Sequence, residues 1–211
     1  MAVLDPGATL STFALIVPAE LPDKTFIATL ILATRFRHLP VWLGVSAAFF
    51  VQTAIAVSLG GLLSLLPRAL VAGVAAVIFA AGAAILFKGA MKSRQAAKAE
   101  AEALVAEEEA AITTSAMPTS VWKMATTSFV VLFVAEWGDL SQLLTASQSA
   151  RTGEPVSVFI GAWLALVLVA GLAVLAGRWI FSTVPLHRVR FISAGVLAVL
   201  AGSAIAEVFS G

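Results

Sequence analysis

Six stretches of about twenty or more mainly apolar residues take up nearly the whole of this chain, near 8–33, 41–65, 69–90, 121–148, 156–181 and 190–209. An apolar run of that length crosses a bilayer as a helix, because no other single segment satisfies its own backbone hydrogen bonds in lipid. Composition agrees: 60% of the 211 residues are hydrophobic and only 12% are charged, against about a quarter charged in soluble domains. The expected fold is an all-α integral membrane protein with six transmembrane helices. One long polar stretch, 91–120, divides the chain into residues 1–90 and 121–211.

Several classes drop out at this stage. No basic patch with interleaved aromatics is present, so nucleic acid is not an expected partner. The absence of cysteine removes disulfides, thiolate metal sites and thiol nucleophiles. The first residues carry no basic stretch of the kind that opens a signal peptide, so the first apolar segment is expected to be a retained span.

Lysine and arginine are distributed unevenly. Ten of the thirteen fall on one side of the expected bilayer: Arg35, Arg37, Lys88, Lys92, Arg94, Lys98, Lys123, Arg178, Arg188 and Arg190. The positive-inside rule makes that side cytoplasmic, with both termini outside and the 91–120 linker inside. The expected location is a bacterial cytoplasmic membrane. Within the linker, Lys98 to Glu109 is rich in Ala and Glu, which favours a solvated helical tether. Trp42, Trp122 and Trp179 stand near span ends, where tryptophan anchors helices at the interface.

The halves repeat. Glu20-Leu-Pro-Asp23-Lys24-Thr25 and Glu136-Trp-Gly-Asp139-Leu140-Ser141-Gln142 share the pattern Glu-x-x-Asp-x-Ser/Thr, 116 residues apart, each in the first apolar segment of its half. Gly44 aligns with Gly161, and Ala72-Gly73-Val74 resembles Ala194-Gly195-Val196. Three spans is an odd number, so two such halves insert with opposite orientation. The expected architecture is two inverted three-helix repeats with a site at their interface.

A charge at mid-bilayer costs about 2.5–3.5 kcal/mol on insertion scales and calls for a partner. On a continuous helix, acids three apart share a face. Glu20, Asp23, Glu136 and Asp139 are therefore expected to converge as metal ligands, with Thr25, Ser141, Gln142 and Lys24 in support. Oxygen donors suit hard divalent cations such as Ca²⁺ or Mn²⁺. The two histidines, His38 and His187, lie in expected cytoplasmic loops, which disfavours a zinc site. Pro18, Pro22 and Gly138 mark backbone breaks beside the acids, and a break frees carbonyls that can bind a cation inside a cavity. Clustered carboxylates also take up protons, so one site holds either protons or metal, the physical basis of exchange. Lys24 has Leu140 as its counterpart; it either neutralises a carboxylate in the metal-free state or forms a fixed salt bridge. Gln52 and Ser46, in the second span, are explained by hydrogen bonds between helices.

The two motifs resemble the signature Glu-x-Gly-Asp-Lys/Arg-Ser/Thr of the duplicated, GDT-type cation/proton antiporters of the lysine-exporter superfamily. That family includes Golgi Ca²⁺/Mn²⁺ transporters, chloroplast manganese transporters and bacterial manganese exporters. Pro22 replaces the signature's glycine in the first copy, and Leu140 its basic residue in the second. The resemblance covers essentially the whole chain. It implies exchange of Mn²⁺ or Ca²⁺ for protons, with the ion as substrate and no resident cofactor; a homodimer is left open. Two other classes use similar acids: an intramembrane hydrolase, and an exporter of amino acids or organic cations. No arginine accompanies the acids at midplane to hold a phosphate. An organic-cation exporter calls for a larger, less acidic pocket.

Overall fold

The computed structural model describes residues 4–21, 24–63, 65–91, 120–183 and 186–210, with isolated linker positions 99, 102, 103 and 106. At Lys24, 176–183, 186–190 and a few other helical positions, only the backbone is described. The helical tether expected within 91–120 lies outside the described residues apart from those isolated positions. Among the described residues all regular structure is helical. The elements are α1 (Pro6–Glu20), α2 (Lys24–Arg35), α3 (His38–Leu63), α4 (Arg68–Met91), α5 (Val121–Ala135), α6 (Leu140–Thr152), α7 (Pro155–Thr183) and α8 (Leu186–Ser210).

Three of these, α3, α4 and α7, are long and apolar enough to cross a membrane. The pair α5–α6 makes a fourth if it is counted as one broken span. The expected first and fourth spans are therefore not continuous helices. The segment 8–33 divides into α1 and α2, and 121–148 divides into α5 and α6, which meet at 74°.

Local chemistry sets the ends. Asp5 caps α1, its Oδ1 accepting from the Gly7 N–H at 2.7 Å, and Pro6 follows at the first helical position. The Asp5 N–H donates to Ser157 Oγ and the Thr9 hydroxyl to the Ser157 carbonyl, which ties the start of α1 to the start of α7. Gly153, at φ +69°, ends α6 in the left-handed conformation that glycine adopts without steric cost.

The two central helices are α3 and α7. About half of their apolar windows are buried (56% and 50%), against 28% for α4. They pack on each other through Trp42 Nε1 donating to the Val167 carbonyl at 3.1 Å and Trp163 Nε1 to the Ser46 carbonyl at 3.0 Å. Phe50 meets Phe159 edge to face at 5.1 Å. The buried core runs through Leu15, Ile16, Val41, Val45, Phe79, Leu132 and Leu144.

Two close crossings flank this centre. Gly44 on α3 lies against the Ala125 carbonyl of α5, and a Cβ there would collide with backbone. Gly161 on α7 lies in the same way against the Thr9 carbonyl of α1. Thr9 and Ala125 each stand eleven residues before the acid that opens their motif. Small residues permit such backbone approach between membrane helices. Farther out, α4 packs along α8, and Phe87 meets Phe191 edge to face at 5.7 Å.

Candidate functional site

Each acidic motif falls at the break of a divided helix. In the second half, Glu136 ends α5 and is only 3% exposed, while its N–H bonds the Leu132 carbonyl. Gly138 follows at φ +76°, where a side chain is strained, and turns the chain. Asp139 then caps α6, with its carboxylate facing the Ser141 N–H at 3.4 Å. Glu136 and Asp139 do not share a helical face. That expectation required a continuous helix, and the left-handed glycine ends it between the two acids.

Gln142 holds the break in shape. Its Nε2 donates to the Glu136 carbonyl at 2.7 Å, and its Oε1 accepts from the Gly138 N–H at 3.2 Å. Both ends of the amide are thus engaged with loop backbone, so Gln142 positions the loop.

Beyond the break, α6 is polar on its buried side. Ser141, Thr145, Gln148 and Ser149, at helical spacing, are each at most 8% exposed. Thr145 donates to the Ser141 carbonyl, Gln148 to Ser11 Oγ and Ser149 to the Val57 carbonyl. A helix that buries this much polar surface turns that side to the protein interior rather than to lipid.

Glu136, Ser141, Gln142 and Thr145 line one small cavity with Phe49, Gln52, Thr53, Ala56 and Leu166. It has room for about one water-sized sphere. Four of its residues come from α3 and one from α7, so the wall opposite the motif belongs to the central pair. Gln52 donates to the Phe133 carbonyl at 3.0 Å, which is the expected bond between helices.

In the first half, Glu20 ends α1 and is 1% exposed. Thr25 and Thr29, the counterparts of Ser141 and Thr145, are fully buried on α2, and their hydroxyls have no hydrogen-bond partner among the described residues. Asp23 and Pro22 lie outside the described residues, as does the side chain of Lys24. Among the described residues, no three acids or histidines come close enough to hold a metal. The described part of the site is thus one buried glutamate at each break, with hydroxyls and amides around the second.

Sequence reading missed Thr53 and Thr145 on the cavity wall. A signal for Thr145 was present, since Thr25/Thr29 and Ser141/Thr145 repeat the same hydroxyl pair four residues apart. No comparable signal marks Thr53, whose place opposite α6 depends on how α3 packs.

The chain matches the family described as "Divalent cation/proton antiporter GDT1" over residues 8–94 and 124–211. It is 30% identical to the GDT1-like protein sll0615 of Synechocystis, over 79% of this chain and 81% of that protein. It is 28% identical to the GDT1-like protein C17G8.08c of Schizosaccharomyces pombe, over 90% of this chain and 79% of that one. Arabidopsis thaliana contributes the chloroplastic PAM71-homolog, 28% identical over 99% of this chain and 61% of its own length. No solved structure matches. The chain therefore belongs to the GDT1 family of divalent cation/proton antiporters, and is an integral membrane cation transporter rather than an enzyme.

Proposed function

We propose that this protein exchanges Mn²⁺ or Ca²⁺ for protons and exports the cation from the cytoplasm. The ion is held by carboxylates of the two motifs, with Glu20, Asp23, Glu136 and Asp139 as ligands and Thr25 and Ser141 in support. The observation that carries this reading is the burial of one glutamate at each of two helix breaks, in a chain of this family. A buried carboxylate is tolerated when something neutralises it. Protons do so in one state and a divalent cation in the other, so loading one expels the other.

Six spans in two inverted repeats fit the same observations. The broken pairs α1–α2 and α5–α6 each count as one span, joined by α3 and α4 in the first half and α7 and α8 in the second. The crossings of Gly44 over Ala125 and Gly161 over Thr9 are the same contact made twice. The family match falls in two blocks of nearly equal length on either side of the linker. Halves of this kind, rocking about the α3–α7 pair, would expose a central site to one side and then the other. The charge asymmetry puts the linker in the cytoplasm.

Metal uptake by reconstituted vesicles under a pH gradient tests the reading. Transport of Mn²⁺ or Ca²⁺ should depend on the gradient and be lost in the Glu136→Gln/Asp139→Asn double variant. Equal transport by wild type and that variant would remove the site assignment.

A further inference from the structure

The surroundings of the two motifs differ where the halves should match. Gln52, Thr53 and Ala56 on α3 line the cavity of Glu136. In the register that pairs Gly44 with Gly161, their counterparts on α7 are Val169, Ala170 and Ala173. Gln142 has Phe26 as its counterpart. Those counterparts are apolar, and Phe26, Val169 and Ala173 pack as one buried cluster with Val17, Leu21 and Leu172. Around Glu136, then, α3 supplies an amide and a hydroxyl. On the other side, α7 presents hydrocarbon to Phe26 of α2.

The cavity side chains carry usable oxygens. Gln52 is 3% exposed, and its Nε2 is engaged by the Phe133 carbonyl. Only the nitrogen of an amide can donate to a carbonyl, so the bond fixes the other end of the amide as an acceptor. Thr53 is also 3% exposed, and both residues line the cavity. A hard cation taken from water needs about six oxygens to replace its hydration shell. Carboxylate and hydroxyl from one half, with amide and hydroxyl from the other, are donors of the required kind.

We infer that the two halves contribute unequally, and that Gln52 Oε1 and Thr53 Oγ1 of α3 join the motif carboxylates beside Glu136 as neutral ligands to the divalent cation. This rests on the cation-exchange reading above and names the residues that set its affinity. Because α3 belongs to the opposite half from Glu136, the bound ion bridges the repeats. Relative motion of the halves then separates the neutral ligands from the carboxylate and releases the ion.

The test is a titration of the purified full chain with MnCl₂ and with CaCl₂, read as metal-dependent thermal stabilisation, in wild type, Gln52→Met, Thr53→Val, Gln52→Glu and Glu136→Gln. Gln52→Met and Thr53→Val keep the volume and remove the oxygen; each should weaken apparent affinity about 10- to 100-fold, the scale seen when groups supporting a metal site are lost. Gln52→Glu keeps oxygen in the cavity and should bind at least as tightly as wild type. Wild-type affinity in both Gln52→Met and Thr53→Val, with Glu136→Gln unresponsive, would overturn this inference and leave the exchange reading standing. If Gln52→Glu is weakened as much as Gln52→Met, the Phe133 hydrogen bond is what matters, and the ligand role is refuted. A wild type stabilised by neither metal would overturn both.

Discussion

Replacing Gly44 or Gly161 with alanine should destabilise the protein measurably, and by similar amounts. At Gly44 a new Cβ would meet the Ala125 carbonyl, with the carbonyl carbon at 2.9 Å and the Cα at 3.1 Å. At Gly161 it would meet the Thr9 carbonyl, with the carbonyl carbon and Thr12 Cβ both at 3.1 Å. The obstacles are mainly helix backbone, which cannot rotate away as a side chain can. The helices must part by on the order of 1 Å, and overpacking of this kind costs about 1–3 kcal/mol. For a chain of this length each kcal/mol lowers Tm by about 2–4 °C, so the expected drop is roughly 2–12 °C. Gly73→Ala and Gly195→Ala are the controls. They are also helical, but a Cβ there meets nothing within 4 Å. They should be neutral or stabilising by up to about 1 kcal/mol, since alanine is the better helix former. The assay is thermal unfolding of the detergent-solubilised protein, followed by loss of monodispersity. If Gly44→Ala and Gly161→Ala melt with the controls, the close crossings are wrong. A large drop at only one of them would contradict the equivalence of the two crossings.

Three further changes probe the break between α5 and α6. Gly138→Ala should cost about 1–2 kcal/mol, because the position holds φ +76°; Gly138→Asn should cost less, and the two Tm values check the order. Gln142→Met removes both hydrogen bonds that hold the break, at about 0.5–1.5 kcal/mol each, and transport should fall further than metal binding does. Metal affinity should weaken as pH falls, because protons and metal compete for the same carboxylates; titration at three pH values reads the sign, and a pH-independent Kd would contradict competition.

Much of this was legible in the chain. Long apolar runs announced membrane helices, and Gly138 announced a break beside the second motif. Geometry across the break was not legible. The three-residue spacing of Glu136 and Asp139 implies a shared face only if the helix continues. Gly138 in the left-handed region and Asp139 as a cap set that condition aside. Gln52 shows a different limit. Its bond to Phe133 was foreseeable as a contact between helices, but its place on the cavity wall follows from α3 packing against α6 as well as α5. No local pattern records that packing. The close crossings were half-visible: the aligned glycines are in the sequence, and the carbonyls they meet are set by tertiary structure.

The central claim, one exchange site for metal and protons, is tested most directly by proton movement in proteoliposomes. With a pH-sensitive dye inside, imposing an inward gradient of Mn²⁺ or Ca²⁺ should drive protons out through the wild-type protein. The Glu136→Gln/Asp139→Asn variant should leave the internal pH unchanged. Metal entry into wild-type vesicles without proton movement would contradict the account.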